Sequence, residues 1–126
     1  MLGAIHHIEY YVNDLRASRA FWDWFAPEVG FTEISDFGDG VSYIHPQTDT
    51  YLVFVQVVDE YLEAGNTRQG NGLNHLALRG ASLAELDRVQ AKLEANSIKI
   101  LKRKGDYLCF EDPNAFAIEI YANEGA

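Results

Sequence analysis

The feature that most constrains this chain is an internal repeat, because its two halves carry the same order of structural signals. Each half begins with a β-rich run, continues with a helical periodicity of apolar residues, and ends with three short strand candidates separated by turn residues. A repeat of this kind predicts two copies of one supersecondary unit. The sequence therefore predicts an α+β fold built of two tandem βαβββ modules.

The predicted bounds follow from the periodicity and from the turn signals. In the first half we predict a strand over 4–12, a helix over 15–26, and strands over 31–35, 41–45 and 51–58. In the second half we predict a strand over 73–79, a helix capped by Ser82, and strands over 98–101, 107–111 and 116–121. The segment 64–72 is polar and glycine-rich, which is typical of a flexible connection. We therefore expect one domain, 1–126, made of module 1–60, linker 61–71 and module 72–126.

Charge, hydropathy and cysteine content exclude several classes of function. The chain has 10 Lys and Arg residues against 19 Asp and Glu residues, a formal net charge of −9, so its field repels nucleic-acid backbones. The longest apolar run, 51–58, is far shorter than the roughly 20 residues of a membrane helix. The single cysteine, Cys109, has no histidine or helix start beside it in sequence, which favours a buried inert thiol. We expect a cytoplasmic protein that acts on a small molecule, without nucleic acid or membrane as a partner.

Strand alternation sorts the side chains at the start of each module onto two faces. In the first strand, His7, Glu9 and Tyr11 lie opposite the apolar face that we expect to pack on the helix. In the first strand of the second module, His75 and Arg79 take the corresponding face. We call the face of each module away from its helix the open face.

The strands at the end of each module add polar groups to the same face. In the last strand Glu119 and Tyr121 alternate with apolar residues, so we assign them to the open face. In the strand 51–58 we assign Val53, Val55 and Val57 to the helix, which places Gln56 on the open face. His7 and Gln56 are separated along the chain by about the same distance as His75 and Glu119, which suggests equivalent positions. Four of these groups, His7, Gln56, His75 and Glu119, are therefore expected to converge.

Two stretches of sequence carry a resemblance to a known family. Near the N-terminus it rests on His7-Ile8, Val12, Asp14-Leu15, Ser18 and Phe21-Trp22, in that order. Near the C-terminus, residues 110–119 read Phe-Glu-Asp-Pro-Asn-Ala-Phe-Ala-Ile-Glu, similar to the family pattern Phe-x-Asp-Pro-Asp-Gly-x-x-Ile-Glu, with Ala115 in place of the usual glycine. Over essentially its whole length the chain resembles the vicinal oxygen chelate superfamily, which includes glyoxalase I, fosfomycin-resistance proteins, extradiol dioxygenases and bleomycin-resistance proteins.

The resemblance implies a metal site. In this superfamily two modules pair to form a cup-shaped open sheet around a divalent metal, and the positions that match its ligands are His7, His75 and Glu119. Gln56 matches only by module symmetry, at a position that is usually glutamate in glyoxalase-like members; the other interpretation is an amide hydrogen-bonded within the sheet. Imidazole and carboxylate ligands suit Zn²⁺, Ni²⁺, Fe²⁺, Mn²⁺ and Co²⁺ alike.

Other side chains on the open face are candidate substrate contacts, namely Glu9, Tyr11, Arg79 and Tyr121. Arg79 would hold a carboxylate or phosphonate through two hydrogen bonds, or would form a structural ion pair with a neighbouring acid. The tyrosines would line the wall of the site. His6 is out of phase and His45 adjoins a proline in a turn, so we interpret both as non-ligands.

The resemblance leaves two classes of function open. The first is a metal-dependent enzyme whose substrate chelates the ion through adjacent oxygens, with a glyoxalase-like lyase or isomerase ahead of a dioxygenase or thiol transferase. In it Glu119 would be a ligand that also serves as a base if it detaches. The second is a non-catalytic binder of the bleomycin-resistance type, since the negative charge and the 7 Phe, 7 Tyr and 2 Trp residues suit a cationic ligand. Because each module alone exposes a sheet edge, we also expect a homodimer, with modules paired within a chain or between chains.

Overall fold

The chain contains two units with the same order of elements. In a computed structural model, residues 2–62 and 72–122 are described, and the chain divides into two compact units, Met1–Gly65 and Asn66–Ala126. Each unit has one helix and four strands in the order βαβββ, which confirms the predicted α+β fold of two tandem modules. Most of the predicted linker, residues 63–71, lies outside the described residues.

The element bounds differ from the predicted ones by a few residues. Unit 1 contains β1 (His7–Val12), α1 (Leu15–Glu28), β2 (Thr32–Asp36), β3 (Gly40–His45) and β4 (Thr50–Gln56), followed by a 3₁₀ turn (Asp59–Tyr61). Unit 2 contains β5 (Leu76–Gly80), α2 (Leu83–Ala95), β6 (Ile100–Lys104), β7 (Tyr107–Glu111) and β8 (Ala117–Ala122). The differences reach three residues, at the starts of β1 and β5 and at the end of β6; the later start of β5 leaves His75 just before the strand.

The two sheets have the same topology. Their strand orders are β1-β4-β3-β2 and β5-β8-β7-β6, with the first and last strands of each unit parallel and adjacent. The remaining neighbours are antiparallel. Because parallel partners run side by side in register, the first strand of each unit brings its side chains beside those of the last strand.

Both helices begin at capping residues that the sequence signals. Asp14 Oδ1 accepts a hydrogen bond from Ala17 N at 3.0 Å, and Ser82 Oγ accepts one from Glu85 N at 3.1 Å. Each cap satisfies one of the free N–H groups of a helix start. Neither helix of the described ranges is long and apolar enough to cross a membrane.

The core of unit 1 is aromatic. Trp22 and Phe25 of α1 are 1% and 0% exposed, and the Trp22 ring lies 5.0 Å from that of Phe54 in β4. Tyr43 of β3 is also buried and places its ring 6.1 Å from Phe54. Burying large side chains of this kind stabilises a fold by about 1.5–3 kcal/mol each.

The core of unit 2 is mostly aliphatic. From α2 it takes Leu86 and Leu93, and from the sheet Leu108, Ile118 and Ile120, all at most 1% exposed. The apolar residues of β8 alternate with Glu119 and Tyr121, so burying the isoleucines under α2 turns the polar pair to the other face. Packing of the core therefore orients Glu119.

A tight turn leads into β8. Buried Asp112 accepts hydrogen bonds at Oδ1 from Asn114 N (2.9 Å) and Phe116 N (3.0 Å). Ala115, which stands where the family pattern has glycine, has a φ of 65°, in the left-handed region. The turn ends directly before β8, and so it helps to set the position from which Glu119 extends.

Candidate metal site

The open face of unit 2 brings one imidazole and one carboxylate together. Glu119 pairs with Ala77 in β5 and with Cys109 in β7, while His75 lies two residues before Ala77 and therefore on the same face. His75 Nε2 is 3.3 Å from Glu119 Oε1. The side chains are 38% and 15% exposed, so the pair is reachable but partly shielded from water.

The other ring nitrogen of His75 already has a partner. Nδ1 lies 2.6 Å from Oδ1 of the preceding residue, Asn74. Because this amide oxygen only accepts, the bond places a proton on Nδ1 and, in the neutral ring, a lone pair on Nε2. That lone pair faces the carboxylate, an arrangement that a cation between the two groups, either a metal ion or a proton, would stabilise.

Two tyrosines donate hydrogen bonds to the carboxylate of Glu119. Tyr107 donates its hydroxyl hydrogen to Glu119 Oε2 at 2.8 Å, and Tyr121 donates to Oε1 at 3.1 Å. Desolvation, followed by these hydrogen bonds to Glu119, raises the pKa of both phenols above the usual value. Both tyrosines therefore remain protonated donors at neutral pH. Tyr121 was predicted as a substrate contact and Tyr107 was missed, although its alternation in β7 could have placed it here.

Arg79 and Cys109 flank this group on the neighbouring strands. Arg79 pairs with Tyr121 across the parallel strands and is exposed. In the parts of the chain that the structure describes, its side chain makes no hydrogen bond or ion pair, so the structural ion pair considered above is not formed there. Cys109 is half-buried beside Glu119 on β7, so its thiol lies on the open face and is less buried than expected.

In unit 1 the open face of β1 carries the predicted residues. His7, Glu9 and Tyr11 are all exposed, Tyr11 by 72%, whereas Tyr10 and Val12 on the opposite face of the strand are buried. His7 makes one side-chain contact of note, between its Nδ1 and Nδ1 of His6 at 3.0 Å. The His6 ring, interpreted above as a non-ligand, stacks on Tyr51 at 5.3 Å.

The prediction that Gln56 lies on the open face is wrong. Leu52 and Phe54, which alternate in phase with Gln56, are 2% and 1% exposed, and Phe54 packs on Trp22 of α1. The three valines therefore face away from the helix. Both faces of β4 are apolar, so hydrophobicity alone could not decide between them; packing against the aromatic helix does.

The amide of Gln56 has a structural role instead. It accepts from Leu15 N at 2.8 Å and donates to Asn13 O at 2.8 Å and to Val57 O at 3.1 Å, which ties β4 to the start of α1. The strand register shows which residue is equivalent to Glu119. Glu119 pairs with the residue two after His75, and Val53 pairs with the residue two after His7. Unit 1 thus has valine where unit 2 has the carboxylate.

The His75–Glu119 pair fits a divalent ion as two of its ligands. Bonds from such an ion to histidine nitrogen or carboxylate oxygen are about 2.0–2.2 Å, so two donor atoms 3.3 Å apart could both bind one ion. Within either unit taken by itself, residues 2–62 and 72–122 bring no three His, Cys, Asp or Glu side chains together. A complete ligand set therefore needs a further donor from outside this pair.

This fold, with a histidine and a carboxylate on the open face of a βαβββ unit, is that of a glyoxalase-like protein. The chain matches the model of the Glyoxalase/Bleomycin resistance protein/Dioxygenase superfamily over residues 4–120, and it belongs to that superfamily. Members of this superfamily bind small molecules and commonly use divalent metals. The family resemblance predicted from the sequence is thereby confirmed.

Individual proteins are similar to this chain in sequence, in fold or in both. The chain is 39% identical over 127 residues to the uncharacterized protein YqjT of Bacillus subtilis, covering 94% of this chain and 98% of that protein. It is similar to the crystal structure of a candidate glyoxalase from Bacillus halodurans, with a TM-score of 0.89 and 37% identity over 97% of each chain. It shares its fold with the fosfomycin resistance protein FosX of Listeria monocytogenes, with a TM-score of 0.70 and 18% identity over 98% of this chain and 93% of that one.

Proposed function

We propose that this protein is a metal-dependent enzyme of the vicinal oxygen chelate type, a glyoxalase-like lyase or isomerase that acts on a small oxygenated substrate. The observation that carries the proposal is the 3.3 Å approach of His75 Nε2 to Glu119 Oε1 on the open face. With the proton of the imidazole on Nδ1, both atoms present lone pairs to the same gap. His75 Nε2 and Glu119 Oε1 would together hold a divalent cation, which would offset that repulsion.

The proposed ligands are His7, His75 and Glu119. His7 is included because it holds in unit 1 the position that His75 holds in unit 2, beside the parallel partner strand. Gln56 is left out because its amide is already used at the start of α1. When bound, Zn²⁺, Ni²⁺, Fe²⁺, Mn²⁺ or Co²⁺ would supply Lewis acidity that polarises adjacent oxygens of the substrate.

Glu119 is also the proposed catalytic base. Its two oxygens are held unequally, since Tyr107 donates to Oε2 at 2.8 Å and Tyr121 donates to Oε1 at 3.1 Å. Oε1 is therefore the oxygen we assign to accept a proton from substrate carbon once it detaches from the ion, while Tyr107 keeps Oε2 in place. Because both phenols have a raised pKa, they act as hydrogen-bond donors and not as bases at neutral pH.

Arg79 indicates the class of substrate. Its guanidinium is exposed on the open face, one strand from Glu119, and the described residues offer it no acid partner. An arginine in this state is suited to a carboxylate or phosphonate, which it binds through two parallel N–H groups. Glu9, Tyr11 and Tyr121 are further proposed substrate contacts. The proposed substrate is thus a small anion that also carries adjacent metal-binding oxygens.

The test is metal content per chain, measured by elemental analysis on protein purified without an affinity tag. Near-stoichiometric metal in the wild type should be lost in His7→Ala, His75→Ala and Glu119→Gln. Two matched controls should keep it: His45→Gln, whose ring contacts Thr48, and Glu85→Gln, whose carboxylate contacts Arg88.

Absence of metal in the wild type after incubation with Zn²⁺, Ni²⁺, Mn²⁺ and anaerobic Fe²⁺ would overturn the proposal. The sequestering binder would then be the better description, and its affinity for an aromatic cation should be indifferent to His75→Ala. If metal is bound, substrate screens with the native ion separate lyase or isomerase activity from dioxygenase and thiol-transfer activity.

A homodimer is the proposed assembly. β1 and β5 each lie at an edge of their own sheet and pair with one neighbour within it. Edge strands of this kind are normally covered or paired, and members of the superfamily often form dimers. Sedimentation equilibrium should give twice the mass of the chain; the mass of a single chain at micromolar concentration would contradict the proposal.

A further inference from the structure

Both candidate histidine ligands make the same contact with the residue directly before them. Nδ1 of His75 lies 2.6 Å from Oδ1 of Asn74, and Nδ1 of His7 lies 3.0 Å from Nδ1 of His6. Asn74 and His6 occupy equivalent positions of the two modules. The same contact is thus made twice, by two chemically different side chains.

We propose that His6 and Asn74 are positioning residues that select the tautomer of the histidine that follows. A neutral imidazole carries one N–H, so an acceptor fixed at Nδ1 holds the proton there and leaves the Nε2 lone pair free. The inference deepens the proposed function. It rests on that function only where it assigns the Nε2 lone pair to a metal ion. The tautomers themselves do not depend on metal.

In unit 2 the amide of Asn74 determines which group donates the hydrogen bond between Asn74 and His75. The amide oxygen of Asn74 has no hydrogen to give, so His75 is the donor. Its Nε2 then points its lone pair toward Glu119, the neighbour at 3.3 Å. Asn74 therefore sets both the protonated nitrogen and the orientation of the ring, as partners of metal-binding histidines commonly do.

In unit 1 the ring of His6, which stacks on Tyr51, takes the place of the Asn74 amide. The His6 ring is stacked on Tyr51 with an interplanar angle of 11° and stands nearly perpendicular, at 80°, to the ring of His7. Tyr51 is the register partner of His7 in β4, so the stack is anchored in the sheet. One of the two facing nitrogens donates and the other accepts, and we assign the donor to His7 because this leaves its Nε2 free.

If these bonds served only to stabilise the fold, removing them would lower stability and leave the tautomers unchanged. Both are made between exposed side chains of adjacent residues, and such bonds contribute little to folding because water replaces them readily. Removing either bond should therefore leave the fold intact, and what should change is the tautomer and the affinity for metal.

The first experiment reads the tautomers directly in the metal-free full chain. Long-range ¹H–¹⁵N spectra, recorded above the usual imidazole pKa of about 6.5, should show the Nδ1–H form for both His7 and His75. Asn74→Leu should give His75 a mixture of forms, and Asn74→Asp, which keeps an acceptor, should restore the single form. An Nε2–H form of His75 in the wild type would overturn the inference, whether or not the protein binds metal. The Nδ1–H form in a protein that takes up no metal would support the inference and count against the proposed function alone.

The second experiment measures affinity for Co²⁺ by competition with a chelator, using the visible spectrum of the bound ion. Asn74→Leu and His6→Leu should each weaken binding by about 10–100-fold. Asn74→Asp and the module swap His6→Asn should stay within a few-fold of the wild type. Thr48→Val is the matched control, because it removes a 3.0 Å contact to Nδ1 of His45, a histidine outside the site. Leucine variants that bind Co²⁺ as tightly as the wild type would refute the positioning role.

Discussion

The two units share a scaffold but differ at one equivalent position on their open faces. Glu119 in β8 and Val53 in β4 are equivalent by strand register, yet one is a carboxylate held by two tyrosines and the other is an apolar side chain. The repeat therefore determines the backbone and the faces of its strands. It does not determine which copy carries a carboxylate at this position.

The cores of the two units differ as well. Unit 1 packs Trp22, Phe25 and Phe54 together, whereas unit 2 buries mainly leucine and isoleucine. Both tryptophans of the chain lie in α1, so tryptophan fluorescence reports on unit 1. Circular dichroism reports on both units, so a comparison of its unfolding curve with that of tryptophan fluorescence follows the two cores separately.

The largest expected effect comes from opening the aromatic core. Trp22→Ala should lower the free energy of unfolding by about 3–5 kcal/mol, and Leu93→Ala in unit 2 by about 2–5 kcal/mol, because each leaves a cavity at a fully buried site. Urea unfolding followed by circular dichroism measures both changes. Trp24→Ala serves as control, since Trp24 is only half-buried. A cost no greater for Trp22 than for Trp24 would contradict the described packing.

Removing the amide of Gln56 should destabilise unit 1 without touching the site. Gln56→Leu leaves Leu15 N and Asn13 O without their partner and should cost about 1–3 kcal/mol. Metal content should not change, and elemental analysis of the folded variant checks this. Gln56→Glu keeps an acceptor for Leu15 N and should cost less. Loss of metal from a folded Gln56→Leu variant would return Gln56 to the list of ligands.

Val53→Glu would make the two units alike at the position of the carboxylate. The new group lies on the open face, so it should raise affinity for divalent metal by about tenfold, equivalent to about 1.4 kcal/mol. Without metal, a half-buried carboxylate lowers stability, so the apo variant should unfold earlier than Val53→Gln. Chelator competition and thermal unfolding measure the two effects. Unchanged affinity would show that Val53 does not reach the ion.

The smallest expected effect concerns alkaline pH. Burial raises the pKa of Tyr43 in unit 1, as does its 2.8 Å hydrogen bond to Asp23, and desolvation and Glu119 raise the pKa of Tyr107 and Tyr121 in unit 2. The folded state therefore keeps these protons at pH values where the unfolded chain loses them. Stability from this source is complete below about pH 10 and declines as the pH rises further.

Phenylalanine variants separate the contributions of the two units to this decline. Tyr43→Phe should flatten the alkaline loss of stability more than Tyr121→Phe, because Tyr43 is buried and Tyr121 is 42% exposed. Urea midpoints from neutral to strongly alkaline pH give the slope. Equal slopes in both variants would mean that burial is not the dominant cause.

The fold and part of the candidate site could be predicted because strand alternation, helical periodicity and turn residues all indicated the same elements. In β8 the buried isoleucines alternate with Glu119, which left one choice of face. In β4 both faces are apolar, so alternation alone could not place Gln56, and only the ring contacts of Phe54 with Trp22 resolve the face. Asn74 was missed because its role depends on its distance to His75, which spacing along the chain does not determine. Alternation in β7 could have placed Tyr107 on the open face, but its hydrogen bond to Glu119 again depends on side-chain geometry.

The left-handed backbone at Ala115 has a consequence for how this chain can change. An L side chain in that region costs roughly 1–2 kcal/mol relative to glycine, and the hydrogen bonds that Asp112 makes in the turn oppose any relaxation of the backbone. A single replacement by glycine would recover most of that energy without altering Glu119. Ala115→Gly would thus raise the stability of the protein, and this gain would offset a destabilising substitution elsewhere on the open face.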